Sequence, residues 1–164
     1  MADAPLHRVS RFVLDTNAVI FLTARGNTIS SALQDDLNNA ALFINAITEI
    51  ELFAKPEMLF GEEEKLRAFI LDMTPVVDLT GAVKKETIAL RRAAKLKLPD
   101  CIAAAASIAL NAVLLSADKE LLSLDWSGYA VKDLIAYAAL SLCTLYSIDL
   151  FENISGRFRE QAAP

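Results

Sequence analysis

The sequence predicts an α/β fold around a short, mostly parallel sheet. Two observations predict it. Brief apolar runs, each about four to six residues long, alternate along the chain with segments that have helix starts and helical spacing. The runs are also apolar throughout rather than alternating, as strands buried on both faces are. With 164 residues, 54% of them hydrophobic and 23% charged, the chain has material for one compact core and is not a disordered segment.

Each element follows in order. Residues 1–10 read as a flexible N-terminal arm. Phe12-Val13-Leu14 is the first strand, stopped by Asp15. Ala18–Thr23 continues as a helix that ends near Gly26. Ser30 or Ser31 caps a second helix reaching about Asn38. Ala41–Ala46 is the second strand. Thr48 opens the next helix, because Thr48-Glu49-Ile50-Glu51 fits the capping box, in which the third residue past a Ser or Thr cap is Glu. A helix over Glu62–Asp72 has acids early, as its dipole favours. Residues 75–79 form the third strand and 82–95 a helix with basic residues in its last turns. Pro99 suits the first residue of a helix running to Asn111. Val113–Ser116 is the fourth strand, Asp118 starts a helical turn, and Tyr129–Val131 is a fifth strand. From Leu134 a helix runs to about Ser147. These bounds give an arm over 1–10, a core domain over 11–133 and a C-terminal helical extension over 134–164.

In a parallel sheet, ligands gather beyond the carboxyl ends of the strands. Four acids fall at that edge. Asp15 ends the first strand and Asp118 lies just past the fourth. Glu51 stands in the first turn after the second strand. Asp100 opens the helix that feeds the fourth strand, and that helix must start on the carboxyl edge. The helix over 82–95 cannot then be a regular crossover. Each acid has a plainer role open to it: helix cap for Asp15 and Asp118, capping-box partner for Glu51, dipole complement for Asp100. Those roles do not require all four to meet. Gathered in one cleft they repel one another, and a hard divalent cation, Mg²⁺ or Mn²⁺, removes the conflict. Such a site activates water and stabilises charge on a phosphodiester. Asn17 is placed to hold a bound water or substrate, and Ser116 to orient a carboxylate. His7, the single histidine, lies in the arm, and the two cysteines, Cys101 and Cys143, read as buried thiols rather than a zinc site or a disulfide framework.

FVLDTNAVI resembles the opening strand and D-T-N element of PIN domains. INAITEIELFA resembles the family's second acidic motif, with Glu51 as its Glu. LRRAAKLKLPDCIAAAASIALNAVLLSADKEL resembles the segment of VapC-type toxins that carries the third and fourth acids, matched here by Asp100 and Asp118. The resemblance covers about residues 11–131. It implies a three-layer α/β/α sandwich and a Mg²⁺- or Mn²⁺-dependent ribonuclease. It also implies the toxin of a type II toxin–antitoxin pair, with an antitoxin partner and a homodimer. Three departures stand out: Ser116 where Thr is commoner, Cys101 where Ala is commoner, and the continuation past the usual end.

The net charge of −5 argues against a simple nucleic-acid coat. Locally the balance reverses: Lys84, Lys85, Arg91, Arg92, Lys95 and Lys97 stand against Glu86 alone. Of these, Arg91, Arg92, Lys95 and Lys97 lead straight to Asp100 and are candidate RNA-phosphate ligands, with a solvated helix end as the simpler account. The extension is apolar on nearly all sides (Leu134, Ile135, Tyr137, Leu140, Leu142, Leu145, Ile148) and is expected to be buried, preferably at a subunit interface. No apolar stretch reaches the roughly 20 residues that span a bilayer, and no secretory signal is apparent, so a cytoplasmic protein without membrane association is expected. The reading is therefore an endoribonuclease, with a non-cleaving PIN-fold module that binds RNA or protein as the alternative. A dehalogenase-type phosphatase is disfavoured, because Asn17 stands where its general acid would be. A receiver domain is disfavoured by the lack of paired acids at the first strand.

Overall fold

The computed structural model describes residues 10–24, 30–56 and 60–139. In chain order these form β1 (Ser10–Leu14), α1 (Thr16–Thr23), α2 (Ser31–Asn38), β2 (Ala40–Asn45), α3 (Ala46–Phe53), α4 (Phe60–Met73) and β3 (Val76–Val77). Then follow α5 (Gly81–Ala93), α6 (Leu98–Leu110), β4 (Val113–Ser116), α7 (Lys119–Leu122), β5 (Val131–Asp133) and α8 (Leu134–Ala139). The sheet order is β3-β2-β1-β4-β5, and every pairing among the described residues is parallel.

Alternation along each strand divides the core into two layers. Phe12 and Leu14 of β1, Leu42 and Ile44 of β2 and Leu115 of β4 face one side. There they pack with Val19 and Leu22 of α1, Leu33 and Leu37 of α2, and Leu66 and Phe69 of α4. Val13 and Leu114 face the other side, with Val83 and Leu90 of α5, the alanines of α6 and Leu121 of α7. The result is the expected α/β/α sandwich. The alanine run works as sequence suggests: Ala104, Ala105 and Ala106 are all fully buried, which lets α6 lie close on the sheet.

Several boundaries differ from expectation. α1 begins at Thr16, with Asp15 as its cap. α3 begins at Ala46, so the capping box at Thr48 does not form. Asn45 takes the cap instead: its Oδ1 accepts the amides of Ile47 (2.9 Å) and Thr48 (3.1 Å), while its Nδ2 donates to the Thr48 hydroxyl at 2.9 Å. A buried amide that satisfies two otherwise unpaired N–H groups and also donates outcompetes a single hydroxyl. Glu51 is thereby moved into the second turn. Asn45→Ala is expected to cost about 1 kcal/mol or somewhat more, read as a lowered urea midpoint with an unchanged m-value.

The fifth strand lies two residues later than expected. Gly128, with φ of 78°, sits third in a turn closed by the Tyr129 amide on the Trp126 carbonyl at 3.1 Å, a position that needs a residue tolerant of positive φ. The turn keeps Tyr129 out of the ladder, and pairing starts at Val131. Asp133 ends β5 and caps α8 through the amides of Ile135 and Ala136. Pro99 is the second residue of α6, not the first. The unplaced helix over 82–95 is α5, which packs along α6 and is joined to it by residues 94–97. The two helices together make the connection from β3 to β4.

In α8 Leu134 is buried in the core, but Ile135 is 56% exposed, so complete burial within this chain is not found there. The rest of the extension, Cys143, Gly26 and the arm before Ser10 lie outside the described residues. Among the described residues no helix is long and apolar enough to cross a membrane.

Candidate active site

The sheet order reverses direction between β1 and β4, the switch point at which ligands bind in open parallel sheets. Asp15 stands there. Its amide donates to the Leu115 carbonyl at 3.1 Å, extending the β1–β4 ladder one step past the end of β1. Its carboxylate is held from two directions. Oδ1 accepts the Thr16 amide at 2.8 Å, the N-terminal cap of α1, and Oδ2 accepts the Ser116 hydroxyl at 2.8 Å. Ser116 is fully buried at the end of β4, and the same hydroxyl accepts the Asp118 amide at 3.0 Å. One small side chain therefore ties two of the candidate acids together.

Asp118 caps α7. Its Oδ1 accepts the amides of Glu120 (2.7 Å) and Leu121 (3.3 Å). The plain capping role and the site role coexist, since Oδ2 is not used for the cap. Glu51 is exposed on α3 and reaches the cluster through the Thr16 hydroxyl, which donates to its Oε2. Asp100 is half-buried in the first turn of α6.

The electrostatics show these acids acting on one another. Burial pushes the Asp15 carboxyl above the usual carboxylate range. The Ser116 hydroxyl and Thr16 amide hold it back, and the charges of Glu51 and Asp118 push it further. Burial also raises Asp100, followed by repulsion from Asp118 and Asp15; Lys97 opposes the rise and Glu120 adds to it. Asp15, Asp100 and Asp118 thus form a mutually repelling set, joined to Glu51 through Asp15. Among the described residues no group of three or more His, Cys, Asp or Glu side chains is closed tightly enough to hold a metal ion by itself.

A family model for the PIN domain matches residues 12–127. The chain belongs to the PIN domain family. Solved structures share its fold. One is the VapBC2 complex of Rickettsia felis bound to a promoter DNA fragment, at 18% identity and TM-score 0.61, covering 75% of this chain and 98% of that chain. A toxin–antitoxin complex from Klebsiella pneumoniae matches at 22% identity and TM-score 0.55, over 72% and 94% of the two chains. VapBC-5 from Mycobacterium tuberculosis matches at 15% identity and TM-score 0.56, over 76% and 98%. No curated protein matches the sequence. The likeness to VapC-type PIN domains read from the motifs is borne out at the level of fold. PIN domains are generally nucleases that use divalent cations.

The other candidates of this PIN domain are placed as follows. Asn17 is exposed in the first turn of α1 and makes no side-chain hydrogen bond among the described residues. The basic residues Arg91, Arg92, Lys95 and Lys97 are all exposed, around the junction of α5 and α6. Lys97 is the closest of them to the acids in effect, because its charge acts on Asp100. Arg91 uses one donor on the Leu96 carbonyl, which shapes the junction itself. Cys101 is a buried thiol pushed up by desolvation, hence inert packing rather than chemistry.

Two participants escape sequence reading. Tyr129, assigned there to a strand, donates its phenol to the Leu121 carbonyl at 3.0 Å and holds α7 against the sheet. Burial raises its pKa, and the charges of Asp15 and Asp118 raise it further, which places the ring beside the cluster. Glu120 acts on Asp100 but looks in sequence like any solvated first-turn acid.

Proposed function

We propose that this chain is a metal-dependent endoribonuclease that hydrolyses RNA phosphodiesters and serves as the toxin of a toxin–antitoxin pair. The observation that carries the reading is the convergence of Asp15, Asp100 and Asp118, with Glu51 attached, at the switch point of a PIN-family sheet. The nuclease unit is residues 11–133. That like-folded structures are toxin–antitoxin complexes supports an antitoxin partner, and the sequence resemblance supports a homodimer.

The donor set fits Mg²⁺ or Mn²⁺. Every candidate ligand is a carboxylate oxygen, and the acids repel one another in the absence of a cation. Mg²⁺ keeps several waters and needs only one or two direct carboxylates, so a closed protein cage is not required. Asp15, Asp100, Asp118 and Glu51 would hold it, directly or through water. The chemistry it would supply there is activation of a water and neutralisation of charge on the scissile phosphate. Ser116 keeps Asp15 and Asp118 in register and donates to the ionised form of Asp15. Thr16 fixes Glu51 toward the same edge. Asn17, exposed in the first turn of α1, is available to hydrogen-bond a water or a phosphate oxygen.

The test is cleavage of total RNA in Mg²⁺, in EDTA, and by Asp15→Asn. Cleavage confined to the wild-type protein with metal is expected. RNA bound but uncut in all three would leave a binding module instead.

The basic junction supports RNA rather than a small phosphate ester as substrate. Replacing Arg92 and Lys97 with Ala is expected to weaken RNA affinity alike for all sequences. It should flatten the logarithmic salt dependence by about 0.7 per lost contact, as for single strands. Anisotropy titrations across salt concentrations read both effects, and an unchanged slope would make the junction a solvated helix end.

A further inference from the structure

The junction between α5 and α6 and the short helix α7 border an open recess of about 360 Å³, lined in part by Glu120, whose charge acts on Asp100. From its composition we infer that the recess is a base-recognition subsite that accepts guanine from the RNA strand, an inference that rests on the ribonuclease reading above. The volume lies within the range of about 300–1,000 Å³ typical of small-molecule sites. Its floor is apolar, made by Ala94, Leu96 and Leu124, all of which belong to or pack on the core of that face. Leu96 is buried, and its carbonyl is pinned by the Arg91 guanidinium, so the floor is set before any ligand arrives. An apolar floor of this kind suits the face of a heterocycle.

The rim is polar, and its Ser123 hydroxyl donates to the Glu120 carbonyl at 3.1 Å. It carries the Lys95 ammonium, the Glu120 and Asp125 carboxylates and Ser123. Among the described residues Lys95, Glu120 and Asp125 form no ion pair. Two carboxylates repel a phosphate but accept N–H donors. On its Watson–Crick edge guanine offers two adjacent donors, N1–H and the N2 amino group, next to the O6 acceptor that an ammonium can reach. Adenine and cytosine offer one amino donor there, and uracil one ring N–H. The rim therefore matches guanine best. Single-stranded RNA is commonly read on such unstacked edges.

The recess is also linked to the acids through its neighbours in the chain. Glu120 follows the Asp118 cap and acts on Asp100, and Lys97 comes immediately after the floor residue Leu96. A strand with its scissile phosphate at the acids can place an adjoining base over Leu96 and Leu124.

The test uses the full chain in EDTA at low ionic strength, so that cleavage does not enter. Short oligouridylates carrying a single guanine, adenine or cytosine are titrated by fluorescence anisotropy. The guanine oligomer is expected to bind about tenfold tighter than the others, in line with the 1–3 kcal/mol worth of a paired base edge. Asp125→Asn and Glu120→Gln should each remove most of that preference, and Asp78→Asn, an exposed acid away from the recess, should leave it. Equal affinity for all oligomers, no binding of any, or a preference untouched by both recess variants overturns the subsite. Cleavage in Mg²⁺ is scored separately. Guanine-selective binding without cleavage keeps the subsite and defeats the ribonuclease reading, and cleavage without base preference does the reverse.

Discussion

Asp100→Asn is expected to cut RNA cleavage by about a hundredfold or more, since even partners that only orient metal ligands are worth about 10–100-fold. The fold should survive. The Asp100 side chain accepts no hydrogen bond from the described residues, so an amide of the same volume breaks nothing. Without metal the variant should melt at the same temperature as the wild type or higher, because one member of a repelling set has lost its charge. Activity and stability thus move in opposite directions, which a merely structural residue does not do. Asp118 is a less clean choice, because its carboxylate also caps α7. The measurements are single-turnover cleavage in Mg²⁺ and a thermal melt in EDTA. Full activity would remove Asp100 from the site, and a lowered melting point would assign it a structural part.

Saturating Mg²⁺ or Mn²⁺ is expected to raise the melting temperature at neutral pH by about 5–10 °C. Binding at about 100 times the dissociation constant contributes about 2.7 kcal/mol, and each kcal/mol moves the midpoint of a domain this size by about 2–4 °C. The effect should fade on acidification, and its sign follows from the two raised carboxyls. Asp15 and Asp100 have pKa values above the ordinary 3.8 in the folded chain. Between 3.8 and those raised values the folded state carries more protons than the unfolded one. The contribution of these two groups to metal-free stability therefore rises as pH falls through the raised values and levels off below 3.8. Protonated carboxyls do not hold a cation, so the gain from metal is present at neutral pH and lost over the same window. Melts in EDTA and in Mn²⁺ that overlay at neutral pH would count against the metal site.

The meeting of the candidate acids at one edge is legible in element order alone. Asp15, Asp100 and Asp118 were found because a strand end and a helix start in a parallel sheet share an edge. That argument needs only element order. Glu51 was found for a partly mistaken reason: it was assigned to a first turn begun by Thr48, whereas Asn45 begins the helix one turn earlier. Glu51 still lies at the edge that holds Asp15, because a helix carries a residue only about 1.5 Å per step along its axis. Tyr129 was missed because its role depends on a turn around Gly128 and on a carbonyl of α7, neither of which leaves a periodic trace.

The sequence by itself determined the α/β class, the two-faced burial of its strands and the set of acids at the carboxyl edge. These depend on local chemistry: apolar runs, caps and chain direction. Only the tertiary structure decided the strand order β3-β2-β1-β4-β5, which puts Asp15 beside Ser116 and Asp118 at the switch point. It also decided that α5, which the chain order already excludes as a regular crossover, lies along α6. Strand order is set by which buried faces fit together across long sequence separations. The Ser116–Asp15 bond spans 101 residues, and no local pattern in either segment encodes that meeting.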